Sequence, residues 1–280
     1  MSRTKLSIII PTHKRPEILR ECLKRIENQT IVKDLEVIIV FDGPDADTKK
    51  MIHEDFRSSL FAFRFFEIAK SQQGVARNKG VQHATGERVL FIGDDIFLDR
   101  HACEKHAEGI GAVLGFTTWD PTVGITPVME WLEQSGWQFA YPNIAPYVHN
   151  IVPRSIQHRF TYTSHLSLPL ATAKEIPFRE DVTLYGWEDI EWGLRLKEVL
   201  PLFYEPDATA LHHHHLTLEQ SLKRMETLGK SAVEMEKIAP QLNVVPKGFK
   251  RVAYEVFSRF PTMSGQHRRA FLEGMKSFSL

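Results

Sequence analysis

Four short apolar runs punctuate the first hundred residues, and each stops abruptly. Leu6 to Ile10 is closed by Pro11, Leu35 to Phe41 by Asp42-Gly43-Pro44, and Val89 to Ile92 by Gly93-Asp94-Asp95, with Phe63 to Ile68 lying between the last two. These read as strands bounded by turn residues. Helical periodicity fills part of the space between them. Pro16 opens a helix whose Ile18, Leu19, Cys22, Leu23 and Ile26 share one face, and a second runs from about Gly74 to Ala84. Such alternation requires parallel βαβ units, with ligands bound beyond the carboxyl ends of the strands. Thr12, Asp42 and Asp94-Asp95 all fall just past strand ends, so polar groups gather at one edge of the expected sheet.

After Gly109 the pattern loosens into Trp-, Pro- and Gly-rich loops with a short helix. Thr161 to Leu168 and Pro201 to Tyr204 read as further strands. Trp187 to Val199 reads as a helix with Ile190, Leu194 and Lys197 on one face. Leu222, Met225, Leu228, Ala232, Met235 and Ile238 then repeat at helical spacing, and the tail to Leu280 reads as helical too. The 280 residues suit one large α/β domain or two modest ones. Lys plus Arg and Asp plus Glu both number 35, so bulk charge gives no sign of nucleic acid. The apolar run at the N-terminus is too short for a signal peptide core, and no run reaches transmembrane length. The two cysteines, Cys22 and Cys103, have no metal-like spacing. The expectation is a cytoplasmic protein.

Asp94 and Asp95 pose the sharpest question. Adjacent carboxylates between apolar segments repel each other and are costly to desolvate unless a cation offsets them. One reading makes them the cap of a following helix; the other gives them a metal. Asp42, before Gly43-Pro44, suits an Asx-turn or a ligand contact. Arg77 and Lys79 in "GVARNKG" are either surface charge or anion contacts at the sheet edge. Glu188 and Asp189 in "GWEDIEWGLRL" would occupy the first turn of a helix after Gly186, flanked by Trp187 and Trp192, read as exposed aromatics suited to a sugar ring. Four consecutive histidines, His212 to His215, are internal and precede an amphipathic helix. In an extended segment His212 and His214 would share a face.

Four blocks, "SIIIPTHKRPEILRECLKRI", "EVIIVFDGPDADT", "GVARNKGVQHATGERVLFIGDDI" and "YGWEDIEWGLRL", resemble in order the signature blocks of family 2 glycosyltransferases, from about Ser7 to His215. The resemblance implies a GT-A fold, α/β with a mostly parallel central sheet and a Rossmann-like nucleotide-binding half. It divides the chain into a catalytic domain over 1–215 (nucleotide-binding half 1–99, acceptor-binding half 100–215) and a C-terminal helical extension over 216–280. It implies an inverting, metal-assisted transfer from a nucleoside-diphosphate sugar, UDP-linked, to a saccharide or lipid-linked acceptor. By the same resemblance Pro11, Thr12, Arg15, Asp42, Arg77 and Asp94 would contact the nucleotide sugar, though Arg15 reads equally as a solvated charge near a helix start. Asp95 would be the main metal ligand, completed by His212 with His214 in reserve. Asp189 would be the general base and Glu188 an acceptor ligand.

The chain departs from the family pattern where Gly93 and Phe41 stand in place of frequent aspartates. A carboxylate–imidazole donor set favours Mn²⁺ over Mg²⁺. The aromatic-rich stretch from Phe116 to Tyr147 would shape the acceptor pocket. A sugar nucleotidyltransferase would carry a Gly-rich phosphate loop near the N-terminus, which "PTHKRPE" lacks. A degenerate, purely carbohydrate-binding protein would have lost Asp95 or the Glu-Asp pair, and both are present. In the tail, Lys247, Lys250, Arg251, Arg259, Arg268 and Arg269 alternate with Phe249, Phe257, Phe260 and Phe271. This fits either a helix packed on the catalytic domain or peripheral contact with the inner face of an anionic membrane.

Overall fold

The apolar runs become strands because β-branched and aromatic residues fill both faces of a buried sheet. The computed structural model describes residues 4–182 and 184–278. Its first half contains β1 (Leu6–Thr12), α1 (Pro16–Glu27), β2 (Leu35–Asp42), α2 (Ala46–Asp55), β3 (Ala62–Ile68), α3 (Gln73–His83), β4 (Arg88–Ile92), β5 (Ile96–Leu98) and α4 (Ala102–Glu108). The second half contains β6 (Ala112–Trp119), α5 (Pro127–Ser135), α6 (Tyr141–Ile144), β7 (His165–Pro169), α7 (Leu170–Glu175), α8 (Glu188–Leu196), β8 (Leu202–His212), α9 (Leu218–Ile238), α10 (Gly248–Phe257) and α11 (Met263–Phe278).

One eight-stranded sheet runs β3-β2-β1-β4-β7-β6-β8-β5. β3, β2, β1 and β4 are parallel; β7 is antiparallel to both β4 and β6, β6 is parallel to β8, and β5 closes the edge antiparallel to β8. In β1 and β2 successive side chains enter opposite cores. Ile8, Ile10, Val37 and Ile39 pack on the side of α1, while Ile9, Ile38 and Val40 pack with Ala76 and Val81 of α3. The register sets Thr12 beside Phe41 and Asp42 beside Ile68, which aligns the carboxyl ends of β1, β2 and β3. The mixed, mostly parallel sheet is the expected α/β architecture.

Several expectations change. Asp94 and Asp95 lead into β5, not a helix, so they cap nothing. β7 begins only at His165, because Thr161 and Tyr162 follow a 3₁₀ turn. β8 continues past Tyr204 to His212, crossing a register shift opposite Gly115 and Phe116. The buried face of α8 is Glu191, Trp192, Gly193 and Leu196, not Ile190, Leu194 and Lys197. Trp192 is fully buried, stacked on Phe178, and its indole N–H donates to Ile176 O at 2.8 Å. Trp187 packs against Phe271 and donates to Leu228 O at 3.1 Å. Both rings serve packing and neither forms an open sugar platform. The Phe116–Tyr147 stretch is likewise mostly structured, with Trp119 and Tyr141 buried.

Candidate active site

The paired carboxylates have a protein cation. Arg15, just before α1, reaches across the chain with one guanidinium nitrogen 2.6 Å from Asp94 Oδ1 and the other 3.1 Å from Asp95 Oδ2. It is therefore no freely solvated charge. The hydroxyl of Thr12 donates to Asp94 Oδ2 at 2.7 Å, so at the end of β1 this residue braces a carboxylate. Pro11 lies within β1 opposite Val40, part-buried. Burial and the neighbouring Asp95 charge push the Asp94 pKa up, against Arg15 and Thr12. For Asp95 burial acts in the same direction, but His212 and Arg15 outweigh it and the net shift is downward. Asp95 is thus held as the anion of the pair.

Gly93 has a spatial reason. A Cβ at this position would lie 2.8 Å from Asp95 Oδ1, so the missing side chain leaves room for the Asp95 carboxylate.

The alternation of β8 carries past its end. His212 Nε2 and His214 Nδ1 each lie 3.7 Å from Asp95 Oδ2, while His213 points elsewhere, its Nδ1 2.7 Å from Asp120 Oδ2 and its ring stacked on Phe97. His213 N also donates to Asp95 O at 2.8 Å, which fixes the segment beside the carboxylate. The donor atoms of Asp95, His212 and His214 fall within 4.8 Å of one another. Donors bound at about 2.1 Å to one octahedral ion are roughly 3 to 4.2 Å apart, so small rotations would bring these three onto a shared cation. His212 Nδ1 is buried without a hydrogen-bond partner, while its ring is stacked on Trp119 at 5.0 Å and on His214 at 5.4 Å, which holds the two imidazoles side by side. One carboxylate and two imidazoles suit a borderline first-row metal. The residues fit the group.

Asp42, at the carboxyl end of β2, accepts from Ser71 N at 2.6 Å and lies 3.3 Å from Lys70 Nζ. Its partners come from the β3–α3 connection and not from an Asx-turn with Gly43.

A third cluster surrounds the start of α8. Gly186 adopts φ +103°, and Trp187 takes a left-handed conformation at φ 69° that turns the chain into the helix. Glu188 accepts from Gly186 N at 3.0 Å. Arg77 comes here as well. It is almost fully buried, with Nη1 3.9 Å from Glu188 Oε1, Nη2 hydrogen-bonded to Gln73 and the guanidinium set over the Phe178 ring, while Nε and Nη1 make no hydrogen bond. Its charge thus serves the Glu-Asp turn and does not face Asp42 or Asp95. Lys79 lies over Phe66 and takes no part. Burial first, and the Glu188 charge second, push Asp189 up to about 7, with Arg77 pulling the other way. A helix N-terminus ordinarily lowers carboxylate basicity; here burial wins. Aromatic contacts join this cluster to the histidines: Phe139 meets Tyr162 at 5.5 Å and His212 at 5.9 Å, and the Asp189 carbonyl accepts from Thr161.

Sequence reasoning passed over Asp120, Ser71 and the Phe139–Tyr162 bridge. Asp120 had a readable signal, because it follows Trp119 at a strand end just as Asp42 follows Phe41. Nothing local marks Ser71 or Tyr162.

The mixed, mostly parallel sheet with its flanking helices has the GT-A fold. The chain superposes on a mannosyltransferase of Pyrobaculum calidifontis in complex with GDP-Man and Mn²⁺ (TM-score 0.60, 15% identity, 99% of this chain and 76% of that one). It also superposes on Staphylococcus aureus TarS 1–349 in complex with UDP-GlcNAc (0.59, 17%, 98% and 80%). At those identities the likeness is one of fold. Residues 7–114 match the model of Glycosyl transferase family 2. A GalNAc(5)-diNAcBac-PP-undecaprenol beta-1,3-glucosyltransferase of Campylobacter jejuni is 37% identical over 117 residues, which is 40% of this chain and 37% of that protein.

Proposed function

We propose that the protein is an inverting glycosyltransferase. It would move a sugar from a nucleoside-diphosphate sugar, UDP-linked, to a hydroxyl of a saccharide or lipid-linked saccharide, with Mn²⁺ preferred over Mg²⁺, on the cytoplasmic side of the membrane. Residues 1–215 would form the catalytic domain and 216–280 a helical extension. The observation that carries this reading is the convergence of the Asp95–His212–His214 donor set, within 4.8 Å, with the Glu188–Asp189 turn joined to it through Phe139, Tyr162 and Thr161; burial also raises the Asp189 pKa to about 7. A general base works best with a pKa near the operating pH.

Asp95, His212 and His214 would hold the divalent cation, which when bound supplies positive charge to the departing diphosphate. Arg15 keeps both carboxylates charge-balanced and aimed. Asp42, with Ser71 and Lys70, would receive the nucleoside, and Asp94 the donor's sugar or ribose. Asp189 takes the acceptor hydroxyl proton as its oxygen bonds to the anomeric carbon and the bond to the diphosphate oxygen breaks; Glu188 holds the acceptor.

The test is calorimetry of UDP and GDP with Mn²⁺ or chelator, together with turnover. Asp95→Ala should abolish the metal-dependent gain in affinity. Asp189→Asn should keep donor affinity and lose about a hundred- to ten-thousandfold in kcat. Metal-independent binding unchanged in Asp95→Ala, or normal turnover in Asp189→Asn, would overturn the assignment.

A further inference from the structure

We propose that α10 is a membrane-surface helix that lays its outward face on an anionic lipid bilayer. No residue of α10 is buried. Phe249 is 88% exposed, Val252 55%, Val256 46% and Phe257 54%, and Phe260 just beyond the helix is 51% exposed. Phe249, Val252, Ala253, Val256 and Phe257 stand at i, i+3, i+4, i+7 and i+8, one continuous stripe along the helix. The opposite side faces the protein: Arg251 reaches the Met275 sulfur and the Tyr254 ring meets Phe271. The stripe therefore points outward by construction of the fold.

Charge identifies the occupant. From Lys247 to Leu280 the chain carries seven Lys and Arg against two Asp and Glu; Lys247 is paired with Glu236 and Arg268 is packed against Trp137, Tyr254 and Phe257, so the charge beside the stripe is that of Lys250 and Arg259. Lys250 borders the stripe, and Arg259 adjoins Phe260. Glu255, the acid of α10, is taken up by Arg251 at 2.6 Å. An apolar stripe edged by cations matches a helix lying in the plane of an anionic interface, its apolar side about 5–10 Å into the headgroup boundary. A second copy of this chain is the poorer fit, since a two-fold contact would set basic face against basic face. Spanning is not at issue: among the described residues no helix is long and apolar enough to cross a membrane.

The experiment is flotation of the full chain with vesicles of phosphatidylcholine, with and without phosphatidylglycerol, over a salt series; it reads lipid contact independently of any transfer reaction. Wild type should float only with the anionic vesicles and be released by salt. Phe249→Ser combined with Val256→Ser should reduce the bound fraction by roughly tenfold or more, and Lys250→Glu by roughly fivefold. All three positions are exposed, so thermal stability should not change. Failure of wild type to float, equal flotation of the apolar double variant, or sedimentation as a dimer that the same substitutions dissolve would overturn the proposal.

Discussion

Two residues show how the site depends on what surrounds the reacting groups. Arg77 is buried beside Glu188 and Asp189, and its charge is the main force holding the Asp189 pKa down. Removing that charge raises the pKa further, so the base becomes ionised only at higher pH. Arg77→Met should therefore move the acid limb of kcat/KM against pH to more alkaline values, and Arg77→Lys should restore most of the wild-type profile. An unmoved acid limb would show that Asp189 is not the titrating base. Gly93 makes the complementary case. Alanine there presses its Cβ onto Asp95 Oδ1, the far end of a side chain that can swing away. Stability should change by less than about 1 kcal/mol. Mn²⁺ affinity should fall by roughly ten- to a hundredfold, as when a ligand loses its supporting geometry. Calorimetry and a melting curve on the same preparation separate the two effects.

At the scale of elements, what could be read followed the strength of each local pattern. β1, β2 and β4 were legible because continuous apolar runs end at Pro, Asp-Gly or Gly-Asp. α2 was not, since Met51 and Ile52 are nearly its whole apolar content. The second half of β8 hides behind "EPDATALH", where Pro206 and alternating polar residues disguise a strand that crosses a bulge. The alternation of histidines was readable from period two alone, but Arg15 reaching Asp94 and Asp95 joins residues far apart in the chain. The burial of Trp192 is not legible in sequence, because an aromatic beside carboxylates has the same local pattern whether it faces sugar or core. The turn before α8 adds an element-level prediction. Trp187 is held by Leu228 O in α9 and by Phe271 in α11. Trp187→Phe keeps a ring and loses the hydrogen bond, at a cost of about 1 kcal/mol in stability. It should lower kcat by more than tenfold with donor affinity intact, because a misplacement of the base is costly. Unchanged kcat would mean that the turn holds its shape without this anchor.

Across the whole molecule, the carboxyl edge of one sheet gathers groups from both halves of the chain. Thr12, Asp42 and the Asp94–Asp95 pair come from β1, β2 and the β4–β5 link, the histidines from the end of β8, and the Glu-Asp pair from the start of α8. The C-terminal helices are part of this construction: Leu184 N donates to Glu234 in α9, and Val182 packs with Met235 and Ala239. Cutting them away would remove α10 and also disturb the segment that leads into the Glu188–Asp189 turn. The anchoring of Trp187 by Leu228 and Phe271 also orders events at the ribosome. Proteins emerge from the N-terminus at about 5–20 residues per second and fold as they do. The parallel strands β1 to β4 are available early, but the turn bearing Asp189 lacks its anchors until α9 and α11 have been made. A nascent chain can therefore acquire the β1–β4 sheet edge before the turn bearing Asp189 is anchored, and the proposed site is complete only with the helices translated afterwards.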